Sequence, residues 1–329
     1  MRYRKLLFVV GVFVVSFFML SSGTCKAASL GRGPAKTWGR LTVKGTQVVN
    51  AKGQKVRLKG VSTHGIAWFP QYVNKSQFAS WKKFGCNTIR IAMYTSKSEG
   101  YTTKLYSKVD KGVKYATELG MYVIIDWHIL KEGNPNTGYS KAKTFFSKMA
   151  KKYRNQSNVL YEICNEPNGN VSWGGQIKPY ATKIIKAIRK YDKKGIVIVG
   201  TPTWSQDVDQ IAKNPIKGQR NIMYSLHFYA ATHKDWNRNK LVMAHNKGLP
   251  VFVSEFSICE ASGNGNNNYS EAGKWMSLLK KYNMSYISWS ACNKNEKCSL
   301  IRSSCKKTGT INSKDLSATG KWFVRQLKQ

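Results

Sequence analysis

Acidic side chains are what this sequence has least of: 16 Asp and Glu stand against 54 Lys and Arg in 329 residues, a formal charge of +38. Such a surface meets anions readily. The cations are spread over the whole chain and are neither gathered on one recognition element nor interleaved with stacking aromatics, so nucleic acid is not an expected partner. Other absences narrow the chemistry. No Gly-x-Gly-x-x-Gly follows a strand-like run and no Gly-Lys-Ser/Thr loop is present, which removes the common dinucleotide and phosphate cradles. The cysteines include no Cys-x-x-Cys and have no histidine pair beside them, so neither a zinc site nor any other metal or cofactor is expected. No Pro/Thr/Ser-rich linker or second module is read in the chain. Histidine is rare too, with five in all.

What is present begins with a targeting signature. Met1 to Lys5 is basic, Leu6 to Leu20 is an apolar run, and Ser22 to Ser29 supplies small residues for cleavage near Ala28. The run is short for a bilayer span of ~20 residues, so a secreted, extracellular protein is expected. Loss of Arg2, Arg4, Lys5 and Lys26 with that signal leaves a charge of +34 and six cysteines: Cys86, Cys164, Cys259, Cys292, Cys298 and Cys305. An even number in a secreted chain permits disulfides, and three of these crowd one loop with Cys259 nearby, but no pairing follows from spacing. The expected organisation is a signal at 1–28, a linker at 29–40 and one domain at 41–329, long enough to bury a large core.

After the linker, Leu41 to Val43 and Val56 to Leu58 read as a hairpin that closes one end of the core. Strand-like runs then alternate with helical ones. The strands are Leu58–Ser62, Thr88–Met93, Tyr122–Asp126, Leu160–Cys164, Ile196–Val199, Ile222–Leu226, Val251–Ser254 and Tyr286–Trp289. Between and after them lie amphipathic segments from Gln77–Phe84 to Leu316–Leu327. Eight short apolar strands, each followed by a helix, predict an α/β fold with a closed (β/α)8 barrel, and an open doubly wound sheet is the alternative.

In such a barrel the loops after the strands open on one face, so residues at strand carboxyl ends converge there. The first strand leads to His64 and Trp68, the second carries Arg90 and is followed by Tyr94, and the third ends in Asp126-Trp-His128. The fourth, Val159-Leu-Tyr-Glu-Ile-Cys, runs into Asn165-Glu166, and Pro167 stops the ladder. The sixth is followed by His227-Phe-Tyr229, the seventh by Glu255, and the eighth ends in Trp289. Glu166 and Glu255 lie 89 residues apart and meet only if the barrel closes. Two facing carboxyl groups, with histidines and an arginine to set their ionisation and tryptophans to stack on sugars, are the equipment of a glycosidase. Arg90 and Tyr229 are positioned to keep Glu255 charged, and Asn165 to hold a sugar hydroxyl. Glu162 shares a side with Glu166 by alternation, and is expected to be a buried, hydrogen-bonded interior carboxylate. A metal-dependent hydrolase would want His-x-His after the first strand and a carboxylate ending the eighth, and the sequence has neither.

At these residues the chain resembles the cellulases of glycoside hydrolase family 5, from about Leu41 onward. The matching stretches include Val61-Ser-Thr-His-Gly-Ile-Ala-Trp68, Asn87-Thr-Ile-Arg-Ile, Val123-Ile-Ile-Asp-Trp-His128, Tyr161 to Gly169, His227-Phe-Tyr229 and Phe252-Val-Ser-Glu-Phe256. The resemblance implies retaining hydrolysis of internal β-1,4-glucosidic bonds, without cofactor, with Glu166 as acid/base and Glu255 as nucleophile. It also implies that Arg90, His128, Asn165, His227, Tyr229 and Trp289 line the cleavage point, and that His64, Trp68, Tyr94, Trp204, Ala261, Lys294 and Glu296 contact substrate. A β-glucan polysaccharide is the implied partner, and a monomer is expected. Mannanase, lichenase and xyloglucanase readings share the two glutamates, and a non-catalytic carbohydrate-binding barrel would normally have lost one. Cys164, Phe256-Ser257 and Ser290 depart from the family pattern beside the catalytic residues. They leave the reaction intact and put substrate preference in doubt.

The charge is not explained by that resemblance. Lysine pairs recur near helix ends, at Lys82-Lys83, Lys151-Lys152, Lys193-Lys194 and Lys280-Lys281. Barrel geometry gathers those ends on the face opposite the active site, where the charge serves either simple solubility or electrostatic association with anionic cell-wall polymers or acidic polysaccharides.

Overall fold

The computed structural model describes residues 28–328. The expected signal, apart from Ala28, lies outside the described residues. In chain order the strands are β1 (Thr42–Lys44), β2 (Gln47–Val49), β3 (Lys59–Ser62), β4 (Thr88–Tyr94), β5 (Tyr122–His128), β6 (Val159–Glu162), β7 (Val197–Val199), β8 (Ile222–Tyr229), β9 (Val251–Ser257) and β10 (Tyr286–Ser288). The helices are α1 (Pro34–Trp38), α2 (Lys75–Phe84), α3 (Leu105–Glu118), α4 (Tyr139–Tyr153), α5 (Lys178–Arg189), the short turns α6 (Pro202–Ser205) and α7 (Val208–Ile211), α8 (Asp235–Asn246), α9 (Tyr269–Lys281) and α10 (Ala318–Leu327).

Strands β3 to β10 form one closed parallel barrel, with β10 paired to β3. The outward strand residues, among them Ile89, Ile91, Val123, Ile125 and Tyr161, pack against the helices in one continuous core. The inward residues Tyr122, Ile124, Leu160, Ile198, Met223, Phe252 and Ile287 form a second cluster inside the barrel. Local chemistry sets the helix ends. Asn74, Asn268 and Ser317 accept backbone N–H bonds as N-caps of α2, α9 and α10, and Gly85 ends α2 at φ 113°, a conformation that favours glycine.

Two expectations about the amino-terminal region need correction. The stretch 29–40, read as a linker, is docked: Gly31 donates to the Thr117 carbonyl, Ala35 to that of Gly120, and α1 buries Ala35 in the interior cluster. Its small residues make close backbone approach possible, which polarity alone does not reveal. The hairpin exists but pairs β1 with β2, not with Val56 to Leu58; the Val56 N–H returns to the Val48 carbonyl as an extension. Leu41, Val48 and Val56 plug the amino-terminal end of the barrel.

Strand β9 carries a bulge. Its neighbours pair Ser225 with Phe252 and then His227 with Glu255 on one side, and Tyr286 with Val253 and then Ser288 with Phe256 on the other. Three residues of β9 thus span two of each partner. Phe252 packs inside the barrel while Val253 and Phe256 pack outside it. Two consecutive residues, Ser254 and Glu255, therefore face inward, where strict alternation would turn Glu255 toward the helices.

Candidate active site

Arg90 lies at the centre of the barrel mouth, fully buried. Its guanidinium donates from Nε to Glu162 Oε2 at 2.7 Å, from Nη2 to Glu162 Oε1 at 3.2 Å and to Asn165 Oδ1 at 2.6 Å, and from Nη1 to Glu255 Oε2 at 3.1 Å. Asp126 Oδ2 is 3.0 Å from Nη2. Burial would lower the Arg90 pKa, but these carboxylates raise it, so the cation persists. Glu162 is the interior carboxylate expected from alternation. Burial opposes its charge, yet Arg90 and His227 hold its pKa down to about 2.

Glu255 receives a bond at each oxygen, from Arg90 at Oε2 and from the Tyr229 hydroxyl at Oε1, the latter 2.9 Å long. Burial is the largest influence on its pKa and raises it. His227 opposes this, Glu166 adds to it, and Arg90 and Tyr229 oppose it again. The net direction is upward, against what Arg90 and Tyr229 alone suggest from sequence. Glu166 stands across the mouth on the loop after β6, which ends at Glu162 and not at Cys164 as expected. His227 Nδ1 lies 2.8 Å from Glu166 Oε1, while its Nε2 is 3.0 Å from Ser254 Oγ, which donates onward to Glu162. Burial would lower His227, but Glu162, Glu166 and Glu255 together raise it to about 9. At neutral pH it is an imidazolium that donates to Glu166.

His128 behaves oppositely. Burial first, then Arg90 and His227, push its pKa well down. Its Nδ1 lies 2.6 Å from Asp126 Oδ2, which fixes the ring and leaves Nε2 toward Asn165 Nδ2 at 3.3 Å. An aromatic wall completes this side: Tyr94 packs on His128 with ring centres 4.2 Å apart, and Trp289 on His128 at 5.1 Å. Trp68, 44% exposed, leans on Tyr94 and His64. Burial, aided by Lys294, lowers His64 to about 3, so it faces Glu296 across 3.7 Å as a neutral ring. Lys294 and Glu296 pair at 2.5 Å on the loop after β10. Ala261 lies on the exposed loop after β9, its N–H bonded to Thr232.

Trp204 is 45% exposed and held by an unusual backbone. Thr203, Trp204 and Ser205 have φ of 56°, 52° and 58°, three left-handed residues in a row with no glycine among them, a local cost accepted at functional sites. The turn is tied to the loop that carries Asn165 and Glu166, for Ser205 Oγ donates to the Asn165 carbonyl at 2.6 Å and the Trp204 N–H to that of Pro167 at 3.0 Å. Gly200, just before it, passes so close that a Cβ would sit 2.2 Å from the Cys164 carbonyl oxygen. Sequence reasoning did not single out Ser254, and had no signal for it beyond its place one residue before Glu255.

The decisive distance is between the carboxyl groups. An oxygen of Glu166, one of Glu255 and a ring nitrogen of His227 all lie within 4.8 Å of one another. Retaining glycosidases hold their carboxyls about 5 to 5.5 Å apart and inverting ones about 6.5 to 9.5 Å, so this pair falls in the short class. The three groups could in principle ligate a cation. A cation there would have to displace the His227 proton and compete with Arg90 for Glu255.

Residues 49–295 match the family model described as cellulase (glycosyl hydrolase family 5). The chain belongs to glycosyl hydrolase family 5. It is 43% identical over 323 residues to an endoglucanase of Clostridium saccharobutylicum, covering 97% of this chain and 71% of that one. With endoglucanase A of Butyrivibrio fibrisolvens it shares 42% over 303 residues, 89% of this chain and 70% of the relative. Among solved structures, the catalytic domain of a Thermobifida fusca endoglucanase, a Glu-to-Gln variant in complex with cellotetraose, superposes with a TM-score of 0.86 at 34% identity, covering 91% of this chain and all of that domain. The expected barrel, family and enzyme class therefore hold.

Proposed function

We propose that this protein is a retaining endo-β-1,4-glucanase acting on cellulose and related β-glucans. The observation that carries the reading is the approach of Glu166 and Glu255 within 4.8 Å. Both Glu255 oxygens already accept bonds, from Arg90 and Tyr229, which orients the carboxylate as nucleophile toward an anomeric carbon. Glu166 is bonded at Oε1 by His227, and its other oxygen is the one able to deliver a proton to the leaving oxygen. Attack by Glu255 forms a glycosyl ester as Glu166 protonates the departing chain. Water then attacks the ester while Glu166 takes the proton back. Trp68, Tyr94, Trp204 and Trp289 supply stacking faces, with His64, Ala261, Lys294 and Glu296 along one flank.

Hydrolysis of carboxymethylcellulose, lichenan, mannan and xyloglucan, with proton NMR of the first product, tests this. Internal cleavage of β-1,4-glucan with release of the β anomer is expected. An α first product, or preference for mannan, overturns the reading. A further part of the proposal is that the enzyme is exported as a monomer after cleavage near Ala28, which amino-terminal sequencing and light scattering of the secreted protein check.

The charge distribution supports an anionic partner at the other end of the barrel. Thirteen of the sixteen acidic residues lie at strand carboxyl ends, in the loops that follow or in the first turns of the next helices; Asp110, Glu118 and Asp192 lie elsewhere. The last turns of α2, α4, α5 and α9 carry Lys82, Lys83, Lys151, Lys152, Lys186, Arg189, Lys280 and Lys281. A cavity of about 960 Å³ at this end is lined by Lys193, Lys194, Arg220 and Lys247 and by no acid. This end binds anionic wall polymers while the cleft faces away. Retention on polygalacturonate should be lost between roughly 0.05 and 0.5 M salt, as charges are screened. Reversal of Lys193, Lys194 and Lys247 to Glu should abolish it without changing turnover of soluble glucan. No retention at low salt overturns this part alone.

A further inference from the structure

Six cysteines are described, all reduced and buried. Four have surroundings of their own. Cys86 and Cys164 are enclosed in the barrel wall, Cys292 contacts the Ser290 and Ser299 hydroxyls, and Cys305 faces Asp315 at 3.7 Å. Cys259 and Cys298 are different, because they lie together: the Cys259 thiol donates to Ser257 Oγ at 3.6 Å, and both sulfurs belong to the same buried cluster. They share one small cluster with Ala92, Tyr94, Tyr229 and Trp289, the aromatic wall of the active site.

The backbone holds the two together. Cys259 follows β9, and its carbonyl accepts from the Ala231 N–H; Cys298 lies on the loop after β10, its N–H donating to Gly263 and its carbonyl accepting from Ser290. Gly263 belongs to the loop that begins at Cys259, and a Cβ there would come within 3.3 Å of Cys298 Sγ. The two loops are thus already in register around the sulfurs. Cys298 also donates its S–H to Glu296 Oε1 at 3.1 Å, so the thiol supports the carboxylate that Lys294 pairs with.

We propose that Cys259 and Cys298 are an oxidisable dithiol, a modification site where a small-molecule disulfide closes a crosslink between the loops after β9 and β10. One cysteine thiolate attacks the small disulfide, forming a mixed disulfide and releasing one small thiol. The second thiolate attacks the protein sulfur and releases the other. Two protein thiols are oxidised, one small disulfide is reduced to two thiols, and the two protons leave with them. The crosslink removes the S–H donor from Glu296 and fixes the Ala261 loop to the Lys294 and Glu296 loop. It therefore acts on binding along that flank and leaves the Glu166 and Glu255 pair intact.

The test uses protein beginning at Ala28, equilibrated with oxidised glutathione and separately with dithiothreitol. After denaturation, the oxidised sample should show four reactive thiols where the reduced sample shows six, and peptide mapping should join Cys259 to Cys298. KM for cello-oligosaccharides should differ between the two forms by about two-fold or more, a fraction of the worth of one hydrogen bond to a charged group because the loss reaches substrate only through Glu296, with kcat unchanged. Cys259→Ser and Cys298→Ser should each keep the glucanase active and lose both differences, the second while retaining a hydroxyl donor to Glu296. Six thiols after oxidation, or a crosslink through Cys292 or Cys305, overturns the proposal. So does a KM change that persists in Cys259→Ser. None of these results alters the family reading, which rests on the glutamates.

Discussion

The interior of the barrel changes character halfway along its strands. At the amino-terminal end Ile124, Leu160, Met223 and Phe252 meet as an apolar layer closed by the β1–β2 hairpin. Two residues further along the same strands the inward positions are Asp126, Glu162, Ser225 and Ser254, gathered around Arg90 and fully buried. The apolar layer stabilises by burial and dispersion, and its members are interchangeable within limits of volume. The ionic layer gains little net stability, because desolvation opposes each ion pair. What it contributes is a fixed orientation for Glu255 and Asn165. One end of the barrel is built to fold, the other to hold charge where water is excluded.

The comparison breaks most sharply at the two glutamates. Glu255→Gln should lose all measurable hydrolysis, on polymer and on activated aryl glycosides alike. Glu166→Gln should lose about 10²- to 10⁴-fold on polymer and far less on aryl glycosides whose leaving group needs no proton. Parallel assays of both variants on both substrates check this. Equal losses for the two variants on every substrate would remove the division of roles.

Removing the keystone of each layer sharpens the same contrast. Arg90→Met leaves Asp126, Glu162 and Glu255 without their cation and should cost about 3 to 5 kcal/mol, with activity lost. Leu160→Ala should cost about 2 to 5 kcal/mol by opening a cavity, with kcat unchanged in the folded fraction. Denaturant unfolding beside kinetics at low temperature separates the two. Similar stability losses are expected, with kcat lost in Arg90→Met alone.

The ionic layer should also show itself in pH. His227 is raised from 6.5 to about 9, so its contribution to stability is complete below pH 6.5 and is lost as pH rises through 9. Glu162 is lowered to about 2, so its contribution is complete above pH 4.5 and fades only as pH falls through 2. The His227 contribution to unfolding free energy should therefore decline between pH 6.5 and 9, opposed near pH 6.5 by the buried neutral rings of His64 and His128, and His227→Gln should flatten the alkaline part of the slope. An unchanged slope in the variant would place the alkaline loss elsewhere.

Much of this was legible in the sequence, and the exceptions have physical causes. Eight apolar runs with turn signals between them gave the barrel, and polar residues at their carboxyl ends pointed to Arg90, His128, Asn165, Glu166, His227 and Glu255. Glu162 was separable from Glu166 because the period of a strand is two residues. The bulge in β9 was not legible: the run Val251-Phe-Val-Ser-Glu255 carries no residue that marks an irregularity, and only pairing with β8 and β10 shows that Ser254 and Glu255 both turn inward. The left-handed run at Thr203 to Ser205 was equally hidden, since none of those residue types signals positive φ. The docking of residues 29–40 depends on backbone contacts that no composition rule encodes.

The smallest expected effects belong to the basic end, where they distinguish bonded lysines from merely clustered ones. Lys82, in the last turn of α2, donates from Nζ to the carbonyl of Arg32 at 2.6 Å and that of Leu119 at 2.7 Å, which joins the docked amino-terminal segment to the end of α3. Lys280 ends α9 and has the helix dipole as its main attraction. Lys82→Met should destabilise by about 1 kcal/mol, since two hydrogen bonds from a charged donor are lost, and salt should change this little. Lys280→Gln should cost about 0.3 kcal/mol or less, because removing a cation from an end poor in acid also relieves repulsion, and the difference should vanish as salt rises. Thermal unfolding of both variants at two ionic strengths measures this. If Lys280→Gln proves as costly as Lys82→Met, the lysines at that end are structural as a class and not a free cationic surface.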